Sequence, residues 1–169
     1  GADLINIAGC YYIMGDMAKA LEYDYKALAI TEKMKDYETM YTVLNNITIA
    51  FLDQKEDDKG LQYRFKCLKL AMDHHMKKED ANSYSELGSI YRNRFNRLAK
   101  AGGNKDSILA YKDKAIHYTS KAIELHEENH DKKAMRGSFT NFGLIYRYWG
   151  DFMSKGDYPK DTITAVQNR

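Results

Sequence analysis

The residues best equipped for chemistry lie at 126–130, where His126-Glu127-Glu128-Asn129-His130 spells H-E-x-x-H. On a helix this spacing puts two imidazoles on one face to bind zinc, with the glutamate beside the metal-bound water as general base. A third ligand would have to come from downstream. No glutamate follows His130, which leaves Asp151 as the carboxylate to weigh. A second histidine pair, His74-His75, ends an apolar stripe, where a helix C-terminus favours positive charge. Cys10 and Cys67 form neither a disulfide framework nor a ligand cluster, and Cys10 has no basic or histidine neighbour in sequence to activate it. Gly102-Gly103 lacks the strand before it and the G-K-[ST] after it that a phosphate loop needs.

What these residues can do depends on the elements that carry them, and those elements repeat. Ile7-Ala8-x-x-Tyr11, Ile47-Thr48-x-x-Phe51 and Leu87-Gly88-x-x-Tyr91 stand forty residues apart. Lys26-Ala27-Leu28-x-Ile30 returns forty residues later as Lys66-Cys67-Leu68-x-Leu70, then fifty-five later as Lys121-Ala122-Ile123-x-Leu125. About fifteen residues are therefore inserted in the third repeat. A fourth block, Phe142-Gly143-x-x-Tyr146, follows, with Asn141 where Asn6 and Asn46 stand. Met40, Leu44, Ile47 and Phe51 step by four, three and four, and Ala115, Tyr118, Ala122 and Leu125 by three, four and three, each a helical stripe. The repeats run at about 1–34, 35–75, 76–129 and 130–169, the last cut short, and predict about eight helices.

Small residues mark where helices must approach closely: Ala8, Gly88 and Gly143 on first helices, Ala20, Gly60 and Ala115 on second helices. Gly15-Asp16 reads as a left-handed C-cap followed by an N-cap; Lys55-Glu56 fills the same places at some local cost. The insertion, around Phe95 to Lys112, contains Ala101-Gly102-Gly103-Asn104, which predicts two helices each about two turns longer and a hairpin that projects as a docking prong or as neutral drift. The register also decides the zinc motif. His130 aligns with Lys35 in a turn and Asp151 with the capping Asp16, so the two histidines do not share a helical face, and a solvated helix end is expected there. Cys67 takes the small-residue position of Ala27 and Ala122, which predicts a buried thiol.

The bulk properties agree with an all-α domain. Of 169 residues one is proline and eleven are glycine, and fourteen tyrosines and eight methionines supply large core side chains. Lysine and arginine number 26 against 24 acids, a net charge of +2, too balanced for generic nucleic-acid or anionic-membrane binding. No apolar run approaches the roughly 20 residues of a membrane span, and no signal segment is visible. The chain opens without a methionine, so a fragment of a larger protein is expected.

The stretch from Asn6 to Ile30, with Tyr11, Gly15-Asp16, Ala20, Ala27 and Leu28, resembles the tetratricopeptide repeat. Its forty-residue period is similar to the long-repeat subclass of bacterial signalling and transcription regulators. The resemblance implies a single domain over 1–169, a right-handed superhelical array of antiparallel hairpins, with the first helices lining a concave groove. The groove positions it implies are Asn45, Ile49, Leu52 and Asp53, then Asn82, Ser85, Ser89, Arg92 and Asn93, then Thr140, Leu144, Arg147 and Tyr148. Arg92 and Arg147 hold the same position in adjacent repeats and could offer two guanidinium forks to one acidic ligand. The lysine and asparagine set with which one family subset grips a C-terminal carboxylate is not complete here. The expectation is a cytoplasmic protein- or peptide-binding module, regulatory or sensory, with an extracytoplasmic sensor as the other placement. It needs no cofactor or metal, and binds neither nucleic acid nor membrane. An architectural homodimer, joined through the edge left by the incomplete last hairpin, is the alternative; a zinc metalloprotease and an RNA binder are remote ones.

Overall fold

The computed structural model describes residues 2–155, and among them the chain is helical throughout, with no strand. The helices are α1 (Ala2–Ile13), α2 (Met17–Met34), α3 (Tyr37–Asp53), α4 (Asp57–Asp73), α5 (Lys77–Lys100), α6 (Lys105–Glu128) and α7 (Lys132–Ser154). The all-α class expected from the apolar spacing holds. The expected eighth helix, and with it the edge of the last hairpin, would lie at 156–169, outside the described residues. None of the described helices is long and apolar enough to cross a membrane. The chain divides into two compact units, Gly1–Ser83 and Tyr84–Arg169, and the division falls within α5.

One turn design ends each of the first six helices. A residue with positive φ follows the helix, at Gly15, Lys35, Lys55, His75, Gly102 and His130. The next residue's amide bonds back five positions: Asp16 to Tyr11, Asp36 to Thr31, Glu56 to Phe51, Met76 to Ala71, Gly103 to Leu98 and Asp131 to His126. This is the 6→1 closure of a Schellman motif, which satisfies carbonyls the helix leaves orphaned. Asp16, Asp36, Asn104 and Asp131 then cap the following helix, each side chain accepting from the backbone amide three residues on. Glu56 makes no such cap bond. Four of the left-handed residues carry a side chain, at about 1–2 kcal/mol each; packing of the flanking helices offsets this.

In the first unit, Ala27, Val43, Ile47 and Phe51 form one buried cluster, with Leu4, Ile5, Leu21, Leu28 and Tyr63 against it. Leu44, Cys67 and Leu70 form another. Ala8 and Ala20 are buried as their small size predicts, and Gly60 lies so close to Leu52 that a methyl group would strike it. In the second unit α5 lies against α6 through Tyr84 on Tyr118 and Tyr91 on both Tyr111 and Tyr118. Gly88 and Ala115 are buried there. Both helices have 24 residues against 17 for α3 and α4, the predicted gain of about two turns each at 3.6 residues per turn.

One expectation is corrected in α7. Asp151 does not cap a new helix as Asp16 does: α7 runs on to Ser154. Gly150 is buried inside the helix, and the apolar stripe continues beyond it, with Trp149 stacked on Phe152 and Met153 buried. The helix expected to approach Gly143 is the second of the last hairpin, which falls at 156–169, outside the described residues.

Candidate functional site

The H-E-x-x-H pattern is taken apart by the end of α6. His130 lies beyond the C-cap Asn129, exposed and in the left-handed conformation, as its alignment with Lys35 predicts. The expectation of a solvated end fails at the other histidine: His126 is a buried core residue, 1% exposed. Burial holds its pKa below the ordinary imidazole value, opposed by the nearby Asp131 carboxylate. Among the described residues no group of three His, Cys, Asp or Glu could hold a metal ion. His74 is the C-cap of α4 and stacks on Tyr37, His75 follows in the turn, Cys67 is buried and Cys10 exposed.

The implied groove residues divide between the units. In the first, Asn45 is half-buried and accepts from Arg64 Nη2 at 2.6 Å, so its amide is engaged by a buried arginine. Ile49 is exposed and Leu52 half-buried; Asp53 is exposed and accepts from the Tyr12 hydroxyl; Asn82 is half-buried. In the second unit Ser85 shares a hydrogen bond with Ser138 at 3.1 Å, Ser89 and Leu144 are half-buried, and Thr140 donates to the Arg136 carbonyl. Arg92 and Arg147 differ sharply. Arg92 is half-buried, with Nη1 donating to Asn141 Oδ1 at 2.6 Å and Nη2 to Asn93 Oδ1 at 2.9 Å. Arg147 is exposed, its guanidinium 5.3 Å from the ring centre of its half-buried neighbour Tyr148. The first guanidinium serves the fold, so the paired forks reduce to Arg147.

A site that shares only Ile49 with the expected groove sits between α1, α2 and α3. Ala8, Gly9, Tyr12, Asp24, Asn46 and Ile49 line a mostly apolar pocket of about 110 Å³. Asp24 is 3% exposed, its Oδ1 is buried without a hydrogen-bond partner, and it forms no ion pair with any described residue. Burial pushes the Asp24 carboxyl up to about 6, against a smaller downward pull from the Asn46 side chain. Tyr12 forms one wall and holds the Asp53 carboxylate beside the pocket, which raises the tyrosine's own pKa. The sequence carries one signal for this site: an asparagine recurs at 46 and 141, on faces that meet buried polar residues of the preceding helix.

No protein-family model matches the chain, and no curated protein matches its sequence. Among solved structures the chain is similar to the crystal structure of BtubC (BKLC) from P. vanneervenii, at a TM-score of 0.67 and 21% identity. The likeness covers 98% of this chain and 62% of that one, so the chain spans less than two thirds of its neighbour's length. At that identity the similarity is one of fold.

Proposed function

We propose that the chain is a protein- or peptide-binding scaffold, built of tetratricopeptide-like hairpins in a right-handed superhelix. In this reading it is a cytoplasmic regulatory or sensory module of a larger bacterial signalling or transcription-regulatory protein. The observation that carries the reading is the pocket between α1, α2 and α3. A concave, mostly apolar site with a few convergent polar groups is the usual form of a recognition site. Its polar lining is Asp24, Asn46 and Tyr12, and the tyrosine hydroxyl donates its hydrogen bond to Asp53. Such a set offers acceptors to a ligand without pairing a nucleophile with its base, which favours recognition over turnover. The near-balanced charge favours protein over nucleic acid as the partner.

Panning a random peptide display library against the full chain tests this. Selected peptides should shift the amide resonances of Ala8, Gly9 and Asn46. Gly9→Leu should weaken them by about tenfold or more, equivalent to about 1.4 kcal/mol. Gly9 has open space beside it, so the larger side chain enters the pocket without striking the core. Peptides that bind with no response to Gly9→Leu, or a library that yields none, would overturn the assignment of this pocket as the binding site.

A second reading, an architectural homodimer, is favoured by the face of α7. Phe139 is 53% exposed there. Sedimentation equilibrium at high micromolar concentration separates the two: a monomer removes the dimer.

A further inference from the structure

The pocket has a counterpart in the second unit. The repeat register carries Ala8, Gly9 and Tyr12 onto Gly88, Ser89 and Arg92, a shift of 80, and Asp24, Asn46 and Ile49 onto Thr119, Asn141 and Leu144, a shift of 95 beyond the insertion. In the second unit this place is filled from within. Arg92 Nη1 donates to Asn141 Oδ1 at 2.6 Å, and Asn141 Nδ2 donates to Thr119 Oγ1 at 2.8 Å. In the first unit Tyr12 stands where Arg92 does, and its hydroxyl goes to Asp53. The cation is therefore missing at the very place where the neutral floor residue, Thr119, is replaced by the carboxylate of Asp24.

We infer that the pocket over Asp24 is a receptor for the guanidinium of an arginine side chain presented by a protein partner. The inference rests on the binding-scaffold reading and gives that site its ligand chemistry. Asp24 Oδ1 is a buried acceptor without a partner, in a chain where the corresponding threonine oxygen accepts from Asn141. An asparagine whose NH2 group turns toward a carboxylate presents its oxygen on the other side, as Asn141 does to Arg92. Asn46 and Asp24 thus supply an amide and a carboxylate acceptor side by side, which suits a planar fork better than the point charge of an ammonium. Ala8, Gly9 and Ile49 are apolar walls for the methylene stem. The Asp53 carboxylate, held by Tyr12, adds a second negative group beside the pocket. At neutral pH a carboxyl that titrates near 6 is ionised, as the guanidinium requires.

The test uses the full chain, ¹⁵N-labelled, titrated with capped pentapeptides of sequence Gly-Gly-Xaa-Gly-Gly in which Xaa is arginine, lysine or the neutral isostere citrulline. The arginine peptide should move the amide resonances of Ala8, Gly9 and Asn46 in a saturable way. Lysine should bind about tenfold more weakly and citrulline not at all. Asp24→Asn, which keeps the shape of the side chain, should cut arginine-peptide affinity by about tenfold or more while the chain stays folded. Tyr12→Arg copies the solution of the second unit: it should raise the melting temperature and abolish binding of the arginine peptide. Equal binding of arginine and citrulline, no response at the pocket, or unchanged affinity in Asp24→Asn would overturn the inference. Display-selected peptides that lack arginine but are lost in Gly9→Leu would overturn it while leaving the scaffold reading standing. If no peptide of any kind reaches the pocket, both fall.

Discussion

The Arg92 guanidinium donates to the Asn141 amide oxygen at 2.6 Å and ties α5 to α7 across 49 positions of sequence. The amide it engages is itself buried and donates onward to Thr119, so Arg92 closes a chain of polar groups that starts in the core of the second unit. Burial lowers the arginine's pKa from its ordinary value, and the group remains a guanidinium because that value is so high. Its role is then to satisfy Asn141. Arg92→Met keeps most of the aliphatic stem but leaves the buried Asn141 oxygen without its donor. The expected loss is about 1–3 kcal/mol, the cost of an unsatisfied buried acceptor, read as a lower urea midpoint at unchanged slope. Arg147→Met, at the same repeat position but exposed, should change stability by less than about 0.5 kcal/mol. Equal effects at the two sites would refute the distinction.

Asp24 makes the stability of the chain depend on pH in a direction opposite to that of most carboxylates. Its folded pKa of about 6 lies above the ordinary 3.8, so the folded state holds the proton more tightly than the unfolded state. The stability this gives is fully present below pH 3.8 and is lost as pH rises to about 6. His126 opposes it: its depressed pKa favours the neutral ring, so its contribution is present above 6.5 and lost as pH falls. The difference between Asp24→Asn and the native chain isolates the carboxylate. That difference should be near zero at pH 3.5 and grow to a plateau above pH 6, where the variant is the more stable by about 1–2 kcal/mol after allowance for solvent screening at the pocket mouth. Urea unfolding at a series of pH values reads it. A variant less stable than the native chain at pH 7 would mean that Asp24 is a structural residue. A more stable one matches the pattern of a group kept for binding at the expense of the fold.

The turns offer a separate test, because one backbone conformation is realised with and without glycine. Lys35 and Lys55 hold φ of 56° and 61°, close to the 81° of Gly15. Lys35→Gly and Lys55→Gly relieve the contact of Cβ with the carbonyl and should each raise stability by about 0.5–1 kcal/mol, less than the full strain because the unfolded chain also gains freedom. Gly15→Ala should cost about 1 kcal/mol in the same assay. Glu56→Asp supplies the short carboxylate that Asp16 and Asp36 use and should add about 0.5–1 kcal/mol through the missing cap bond. Thermal unfolding of the four variants ranks them directly, and a Lys55→Gly that melts below the native chain would contradict the strain assigned to that turn.

Features that depend on neighbours along the chain are legible in the sequence itself. The Gly15-Asp16 cap, the position of His130 past its helix and the two added turns of α5 and α6 follow from the local pattern and the forty-residue register. Features that depend on partners far along the chain are not. Asp24 reads as a charged residue on an amphipathic helix, and only the packing of α1 and α3 over α2 shows it lining a pocket. Arg92 aligns with nothing that reveals Asn141 as its acceptor, so alignment with Arg147 suggests a shared role that burial denies. His126 sits near a helix end yet is covered. Asp151 aligns with the capping Asp16, but the apolar stripe through Met153 carries the helix past it.

Gly88 tests the close packing on which the second unit's polar chain depends. A Cβ built there would lie 2.3 Å from Thr119 Oγ1 and 3.1 Å from both the Thr119 backbone nitrogen and Asn141 Nδ2. The side-chain oxygen cannot rotate aside without dropping its bond to Asn141, and the backbone contact does not move unless α5 and α6 separate. Gly88→Ala should therefore destabilise the chain by about 2–3 kcal/mol, in spite of alanine's better helix propensity. Gly9→Ala meets nothing within 4 Å among the described residues, and propensity alone should make it neutral to about 1 kcal/mol more stable. Removing the hydroxyl with Thr119→Ala relieves the nearest contact but orphans Asn141 Nδ2. The double variant Gly88→Ala with Thr119→Ala should then lose less than the sum of the two single losses, by about 1 kcal/mol or more. Strict additivity in that cycle, or a Gly88→Ala chain as stable as the native one, would show that α5 does not approach α6 this closely.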